Sequence, residues 1–265
     1  VPVVECIARR TSHKCNRRFA GRGVCMSRIY EALEFAGHAP MEDSGSEVEF
    51  NLTLPKPTAS FEEKLLGLYT RIDSMIENRG GRIVSFAGLG DEQSSATYVM
   101  EMARVGATKL GRRVLVLATY QSGCAKKLFE AGLNRGWENL TYSARSINDI
   151  VYRINEPPIA ISQLNATKET LPSLLTSPRV LNTLRLMRKR YDWIFVDTPA
   201  IGKGSDASLI STVADGTVVV ANAGGVRWQV LRHAVAQLTA QQGNVLGVAL
   251  NNRRYEIPDF VYRKL

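Results

Sequence analysis

The 265-residue chain lacks any long apolar run and contains only four cysteines, and both features exclude whole classes of protein. No segment approaches the ~20 consecutive apolar residues that cross a bilayer, and the basic N-terminus has no apolar signal-peptide core. These features predict a cytoplasmic protein. The cysteines follow no zinc-ligand spacing and therefore predict reduced thiols rather than a metal centre, at Cys6, Cys15, Cys25 and Cys124.

Lysine is absent from a stretch in which a cation would be expected. None occurs between Lys64 and Lys109, although this stretch holds an apolar strand pattern at 83–87 and a turn that contains Gly88 and Gly90. A strand, a Gly-rich turn and a helix form the usual phosphate-binding element of nucleotide-binding α/β proteins, and that element normally carries a lysine. The sequence therefore predicts a phosphate-side loop without its main cation.

The formal net charge of +9 is unevenly distributed. The first 25 residues hold six lysines or arginines against one acid, so more than half of the excess charge lies there. Residues 1–25 also lack apolar periodicity. We interpret them as a basic disordered leader, or as an extension upstream of a natural start at Met26, rather than as a nucleic-acid-binding arm. No specific nucleic-acid partner is expected for the mildly basic remainder.

Residues 26–60 form a second region ahead of the main domain. Residues 26–37 have apolar residues at helical spacing and predict a short helix that ends at Gly37. Residues 38–60 contain three prolines and an acidic cluster, a composition that predicts a linker. The main domain is therefore predicted to span residues 61–265.

Strand and helix patterns alternate along the main domain. The predicted strands are rich in Val, Ile and Leu without polar alternation, which is typical of strands that are buried on both faces. This alternation predicts an α/β fold with a mostly parallel central sheet and helices on both faces. The predicted strands are 83–87, 114–118, 159–162, 193–196, 216–221 and 245–250, and the predicted helices are 61–76, 94–109, 126–133, 147–154, 179–190 and 227–242.

The strand at 193–196 ends in Asp197, which is followed by Thr198 and Pro199. In a parallel sheet the carboxyl ends of the strands form the edge at which ligands bind. Asp197 is thus placed where a carboxylate would hold the Mg²⁺ of a nucleotide. A structural carboxylate at the end of a buried strand is an equally good interpretation of Asp197, because perturbed buried acids also serve structure.

Five segments of the chain are informative through their order and spacing. They are M-S-R-I-Y-E-A-L-E from Met26, L-L-T-S-P-R from Leu174, Y-D-W-I-F-V-D-T-P-A from Tyr191, S-D-A from Ser205 and N-V-L-G-V-A-L-N-N-R-R-Y-E-I-P from Asn244. Together they resemble the bacterial tyrosine kinases (BY-kinases) of the CpsD/CapB/Wzc type, which belong to the deviant P-loop ATPases with MinD and ParA. The resemblance covers residues 26–265 and implies a P-loop NTPase-like fold. It also implies a cytosolic kinase that acts with a membrane polysaccharide co-polymerase in the synthesis and export of capsule or exopolysaccharide.

The motifs that bind phosphate and metal in this family are altered here. The family's phosphate loop ends in Gly-Lys-Ser/Thr, and either residues 95–97 or residues 92–94 align with it, without a lysine in either case. The family's second motif, Asp-x-Asp after a strand, falls on Ala118 and Tyr120, so both acids are missing. Asn251 matches the asparagine that commonly reads adenine in this superfamily. The resemblance therefore leaves a vestigial nucleotide pocket made of Gly88, Gly90, Ser94, Ser95, Thr97, Asp197 and Asn251.

These departures predict a pseudokinase. We expect no catalytic residue, no metal unless Asp197 holds one, and weak or absent binding of Mg-ATP. The expected role is that of a regulatory or scaffolding subunit that docks on a membrane polysaccharide co-polymerase, which would place the protein peripherally at the inner face of the plasma membrane. Two alternatives remain open, an active tyrosine autokinase that uses Asp197 and Lys203, and a ParA-like nucleic-acid-binding protein.

The family's ring-forming helix carries Glu-x-x-Arg-x-x-Arg, and here Glu63 is followed by Leu66 and Tyr69 in place of the arginines. The family's ring is therefore not expected, whereas a dimer is compatible with the sequence. The C-terminal tyrosine cluster that the family phosphorylates is also thin, because only Tyr255 and Tyr262 lie near the end. We expect both to pack within a C-terminal tail, with phosphorylation by another kinase as the alternative.

Overall fold

The computed structural model of the protein describes most of the predicted main domain. The described residues are 48–50, 59–76, 82–90, 92–119, 122–125, 136–137, 148, 150–154, 156–164, 166–167 and 169–251. Some sequence predictions concern residues outside these ranges, namely the leader 1–25, the helices 26–37 and 126–133, Tyr120, Tyr255 and Tyr262.

Eight strands form one sheet, and the predicted α/β fold with a mostly parallel sheet is confirmed. All neighbouring strands are parallel except β4 and β5, which are antiparallel. The order across the sheet is β1-β4-β5-β3-β6-β2-β7-β8. The strands are β1 (Val48–Phe50), β2 (Arg82–Leu89), β3 (Val114–Thr119), β4 (Val151–Ile154), β5 (Ile159–Leu164), β6 (Trp193–Thr198), β7 (Gly216–Asn222) and β8 (Val245–Asn251).

Helices cover both faces of the sheet. Side chains alternate between the two faces of a strand, so Trp193 and Phe195 of β6 pack with α1 and α2, whereas Ile194 and Val196 pack with α3, α4 and α5. A third cluster joins α6 to the ends of β2 and β7. The helices are α1 (Ala59–Met75), α2 (Glu92–Thr108), α3 (Leu171–Thr176), α4 (Pro178–Arg190), α5 (Asp206–Val213) and α6 (Trp228–Ala240).

An aromatic cluster holds α1 against the sheet. The Tyr69 ring centroid lies 4.7 Å from that of Trp193 and 5.8 Å from that of Phe195. On the Trp193 ring, the Arg82 guanidinium lies 5.0 Å from the centroid. Each edge-to-face pair contributes about 0.5–1.5 kcal/mol beyond the area that it buries. Tyr69 is therefore a core residue, although it occupies a position of the family's ring-forming motif.

A carboxylate joins α4 to the starts of β2 and β7. Asp215 accepts two hydrogen bonds from the Arg188 guanidinium, at 2.7 and 2.9 Å. The same carboxylate accepts the Ile83 backbone N–H at 2.7 Å, and the Asp215 backbone N–H donates to the Ile83 carbonyl at 2.8 Å. A carboxylate that accepts two hydrogen bonds from one arginine, and a third from a backbone N–H, is held in one geometry and adds to stability. The basic end of α4 is thus engaged in a specific contact beyond the general effect of the helix macrodipole.

The predicted helix at 147–154 is wrong, because Val151–Ile154 forms strand β4, antiparallel to β5. Val151, Tyr152 and Ile154 are buried, whereas Arg153 is exposed. Short apolar runs satisfy helical and strand periodicity equally well, and β-branched residues favour the strand. Pro157 and Pro158 follow this segment after two residues and mark a turn rather than the continuation of a helix.

Other boundaries also differ from the sequence prediction. Val48–Phe50, within the predicted linker, forms β1 and pairs with β4. Helix α2 begins at Glu92 instead of Ser94. The sequence patterns did not reveal α3 and α5, which are six and eight residues long and too short to show a clear helical period. Among the described residues, no helix has the length and apolar content needed to cross a membrane.

We expect Asp215→Ala to lower the free energy of unfolding by about 2 kcal/mol, because it leaves a half-buried arginine and a backbone N–H without their acceptor. Chemical denaturation measures this loss. The matched control is Asp73→Ala, which breaks a 3.0 Å ion pair to Arg82 in which the aspartate side chain is 49% exposed. That change should cost less than about 1 kcal/mol. Equal losses in the two variants would contradict the role given to Asp215.

Candidate functional site

The carboxyl ends of the parallel strands bring most of the predicted site residues to one edge of the sheet. Gly88 lies near the end of β2, Asp197 near the end of β6 and Asn251 at the end of β8. Strand β6 runs between β3 and β2, so Asp197 has Ala118 on one side and Phe86 on the other. The edge matches the position at which ligands bind in α/β proteins.

Asp197 is fully buried at this edge. Its Oδ2 accepts the backbone N–H of Cys124 at 2.8 Å, and its Oδ1 makes no hydrogen bond to the described residues. Burial raises the pKa of Asp197 to about 6, against an opposing effect of the Cys124 backbone N–H and of the nearby Cys124, Ser122 and Ser95 side chains. Desolvation therefore dominates the electrostatics of this carboxylate.

A short turn after β3 supplies the donor to Asp197. The Ser122 N–H donates to the Thr119 carbonyl at 3.0 Å, and the Ser122 hydroxyl accepts the Ala125 N–H at 3.2 Å, as an N-cap does. The buried Cys124 thiol, which forms no disulfide with the described residues, donates to the Ala96 carbonyl of α2 at 3.8 Å. The turn therefore joins β3, α2 and β6 around the carboxylate.

Sequence reasoning missed Ser122 and Cys124 as members of this site. Cys124 was expected only to be a reduced thiol, and the structure shows it buried beside Asp197. The available signal was the segment Ser-Gly-Cys two residues after a buried strand, which is typical of a capped turn near a strand end. Nothing in the sequence related that turn to Asp197.

The connection between β2 and α2 is short, because only residues 90 and 91 separate Leu89 from Glu92. Gly90 has a φ of +87°, in the left-handed region that glycine adopts without strain. The Gly88 carbonyl accepts the Ile201 N–H at 2.8 Å. Gly90 thus lies in the short strand-to-helix connection, whereas Gly88, predicted to be in the turn, belongs to strand β2 and pairs with Val220.

The other predicted phosphate-side residues lie on the first two turns of α2, and the structure does not bring them to one point. Ser95 is buried near Asp197, whereas Thr97 is exposed. The side chain of Ser94 lies outside what the structure describes. Only Ser95 among these three is placed beside the carboxylate.

Apolar and backbone-directed groups occupy the metal side of the site. Ala118 is buried next to Asp197, at a position where the family resemblance implies an acid. The Thr119 hydroxyl donates to the Asp197 carbonyl at 2.7 Å, and the Thr198 hydroxyl donates to the Phe86 carbonyl at 3.1 Å. Within the described part of the chain, no group of three or more His, Cys, Asp or Glu side chains could hold a metal ion.

Asn251 lies at the same edge but apart from Asp197, because β2 and β7 run between β6 and β8. Three strand spacings of about 4.8 Å place the two backbones roughly 14 Å apart. Its backbone carbonyl accepts the Ala223 N–H at 2.8 Å, and its Cα partner on β7 is Asn222. A direct contact between Asn251 and Asp197 is excluded, and only an extended ligand such as a nucleotide would reach both.

The curated relatives of this chain are named bacterial tyrosine kinases. The tyrosine-protein kinase CpsD of Streptococcus agalactiae is 25% identical over 165 residues, which are 62% of this chain and 70% of CpsD. The tyrosine-protein kinase CapB of Staphylococcus aureus, whose own assignment is putative, is 23% identical over 199 residues, 74% of this chain and 86% of CapB. No protein-family model matches the chain.

Solved kinase domains share the fold. The VpsO kinase domain is 25% identical with a TM-score of 0.58, and the match covers 74% of this chain and all of that domain. The kinase domain of the Escherichia coli tyrosine kinase ETK gives a TM-score of 0.63 at 19% identity, over 74% of this chain and 80% of that one. The resemblance inferred from the motifs is thereby confirmed: the chain is a homologue of the bacterial tyrosine kinases and has the fold of their kinase domains.

Proposed function

We propose that this protein is a catalytically degenerate BY-kinase relative that serves as a regulatory or scaffolding subunit in the synthesis and export of capsule or exopolysaccharide. The observation that carries the proposal is the state of Asp197, a fully buried carboxylate that accepts a backbone N–H and has no second acid beside it among the described residues. A carboxylate that holds Mg²⁺ must reach the ion and the water bound to it, and complete burial of Asp197 disfavours this.

The phosphate side supports the same conclusion. The connection at 90–91 carries no lysine, and the chain has none from Lys64 to Lys109. Each charge-assisted hydrogen bond contributes on the order of 1.5–3 kcal/mol. Loss of the lysine and of the metal-side acids therefore weakens Mg-ATP binding by several orders of magnitude, at about 1.4 kcal/mol for each factor of ten.

Catalysis should suffer more than binding. Phosphoryl transfer depends on the position of the reacting groups and on stabilisation of charge by cations. Here Ala118 replaces an acid next to Asp197, and Lys203 lies exposed in the loop after β6. An active autokinase that uses Lys203 remains the second candidate, since the relatives CpsD and CapB are named tyrosine kinases.

The helix that corresponds to the family's ring-forming motif supports a role without the ring. Tyr69 is buried against Trp193 and Phe195, and Leu66 packs on the same core cluster. Two of the three motif positions therefore face the interior of this protein, and Glu63 alone is exposed. We therefore propose that the partner is a different protein, the cytosolic segment of a membrane polysaccharide co-polymerase.

We expect calorimetric titration with Mg-ATP and with Mg-ADP to give no saturable heat at millimolar nucleotide. The reason is the absence of the cations and acids that hold the phosphates and Mg²⁺. Asp197→Ala is the control and should behave like the unchanged protein. Micromolar binding that is lost in Asp197→Ala would overturn the proposal and support the active kinase.

We expect Asp197 to make the free energy of unfolding depend on pH in a direction opposite to that of most acids. Because burial raises the folded-state pKa from the ordinary 3.8 to about 6, the folded state holds more protons than the unfolded state between these values. The contribution of Asp197 is fully present below pH 3.8 and is lost as the pH rises through about 6, a total of about 3 kcal/mol.

Asp197→Asn should therefore stabilise the protein relative to the unchanged chain at pH 7 but not near pH 4, as urea denaturation at several pH values would measure. Millimolar Mg²⁺ should leave both proteins unchanged. If Mg²⁺ instead stabilises the unchanged chain at pH 7 and has no effect on Asp197→Asn, then Asp197 is a metal ligand and the structural role is wrong.

We expect the protein to bind the cytosolic segment of a polysaccharide co-polymerase from its own organism, with an affinity that does not change when ATP is added. Surface plasmon resonance with the immobilised segment measures both. Asp197→Ala should bind equally well, because the nucleotide site takes no part. The absence of binding to every co-polymerase segment tested would count against the scaffolding role.

A further inference from the structure

The first turn of α6 exposes two large apolar side chains to solvent. Trp228 is 59% exposed and Val230 is 49% exposed. Of the thirteen residues of this helix, only Ala234 and Leu238 are buried. Tryptophan is enriched where proteins make contacts, because its large ring gains more than most side chains when it is covered. This end of α6 is therefore a candidate contact surface.

A strip of half-buried apolar residues joins this turn to the end of β8. Val226 precedes the helix and Leu231 lies in its first turn, and both pack on the same core cluster as Val248 and Leu250 of β8. Asn251, the last described residue, comes directly after Leu250. The apolar surface therefore extends to the point where the rest of the chain continues from the sheet.

Two arginines flank the exposed apolar side chains. Arg227 and Arg232 are exposed, and neither side chain makes an ion pair or a hydrogen bond with a described residue. Arg227 is also the N-cap residue of α6, and the first turn of the helix holds no acid. A helix start favours negative charge, and a guanidinium favours a carboxylate. The α6 surface, by which we mean Arg227, Trp228, Val230 and Arg232, therefore fits an apolar segment that carries acids.

The segment 252–265, which lies outside the described residues, begins beside this surface. The Asn251 carbonyl accepts the N–H of Ala223, the first residue of the connection from β7 to α6, at 2.8 Å. Trp228 follows Ala223 by five residues and so lies within about 18 Å of it, at ~3.6 Å per residue. About five to seven extended residues cover this distance, which brings the stretch 256–260 within reach of the α6 surface.

The stretch 256–260 complements the α6 surface in charge and in polarity. Its sequence is E-I-P-D-F, in which two acids enclose an apolar pair and precede a phenylalanine. On the α6 surface, two arginines likewise enclose Trp228 and Val230. The basic residues of the segment lie outside this stretch, at 253–254 and 263–264. Docking of the stretch would pair its acids with the two arginines and cover the tryptophan.

We propose that residues 256–260 dock on the α6 surface of their own chain, with their apolar side chains against Trp228. Exposed ion pairs stabilise a contact only slightly, so the apolar contact supplies most of the attraction and the acids fix its register. The direct link through β8 favours an occupant from the same chain, because a short tether holds the stretch at a millimolar effective concentration. This contact goes beyond the proposed function, since it involves neither the nucleotide edge nor the co-polymerase segment.

Acrylamide quenching of tryptophan fluorescence in the full chain tests this contact. Trp137 and Trp193 are the other tryptophans of the chain and are buried, so Trp228 dominates the quenching. We expect weak quenching in the unchanged chain and stronger quenching in the double variant Glu256→Lys with Asp259→Lys. Reversal of two exposed ion pairs should shift the docking equilibrium by about tenfold. Trp228→Phe should abolish the difference, because it removes the accessible reporter.

A charge swap separates direct docking from an indirect effect. Arg227→Glu with Arg232→Glu, combined with the first double variant, should restore weak quenching, because complementary charges then face each other again. The matched control reverses two charges of the same segment outside the docking stretch, Arg263→Glu with Lys264→Glu, and should leave quenching unchanged. Circular dichroism checks that each variant is folded.

Several results would overturn the proposal. Quenching could be equal in the unchanged chain and in the first double variant, or the charge swap could fail to restore protection. Protection of Trp228 that weakens on dilution would assign the surface to the segment of a second copy. Protection only after addition of vesicles that contain phosphatidylglycerol would assign it to a lipid surface. None of these outcomes depends on the Mg-ATP titration or on binding to a co-polymerase.

Discussion

The carboxylate of Asp197 is a charge-bearing group at the end of a fully buried strand, and the functional edge of the protein is arranged around the cost of burying it. Isolated charges in an apolar interior are strongly disfavoured unless they are paired, hydrogen-bonded or neutralised. Here the Cys124 N–H supplies one hydrogen bond, and burial raises the pKa of Asp197 to about 6. The turn that positions Cys124 is itself fixed by Ser122 and Thr119. The ends of β3 and β6 and the start of α2 are therefore held together around one desolvated group.

The parallel sheet separates two chemically different edges. At the carboxyl ends of the strands, the described groups around Asp197 are backbone donors, hydroxyls and a thiol. At the amino ends, the guanidinium groups of Arg112, Arg113, Arg153 and Arg190 converge on a cavity. At the first edge, desolvation of Asp197 is the main electrostatic effect. At the second edge, the described ion pair joins the exposed Arg113 to Asp192, and water and salt screen its attraction. These arginines therefore lie at the opposite ends of the strands from Asp197.

Sequence patterns predicted the fold well where a segment had one clear period. Strand β6 is a continuous apolar run that ends in an acid, and its strand character and its Asp197 were both predicted. The segment 151–154 was misjudged because four residues fit either a helix or a strand, and only its pairing with β5 decides between them. The contact from Cys124 to Asp197 spans 73 residues and depends on how a turn packs against α2. No local pattern contains that information. The sequence could therefore predict Asp197 itself but not the groups that surround it.

Two features of the edge around Asp197 fit together physically, namely the alanine at position 118 and the lack of lysine between Lys64 and Lys109. Two carboxylates on neighbouring strands repel each other unless a cation lies between them, and burial increases this repulsion. Ala118 stands directly beside Asp197 in the register of β3 and β6 and removes the repulsion. With no lysine between Lys64 and Lys109 and no second acid beside Asp197 among the described residues, this edge lacks the repulsion that two neighbouring carboxylates would create without a cation. This combination supports the proposed scaffolding role, in which the kinase fold serves for the surface that it presents to a partner.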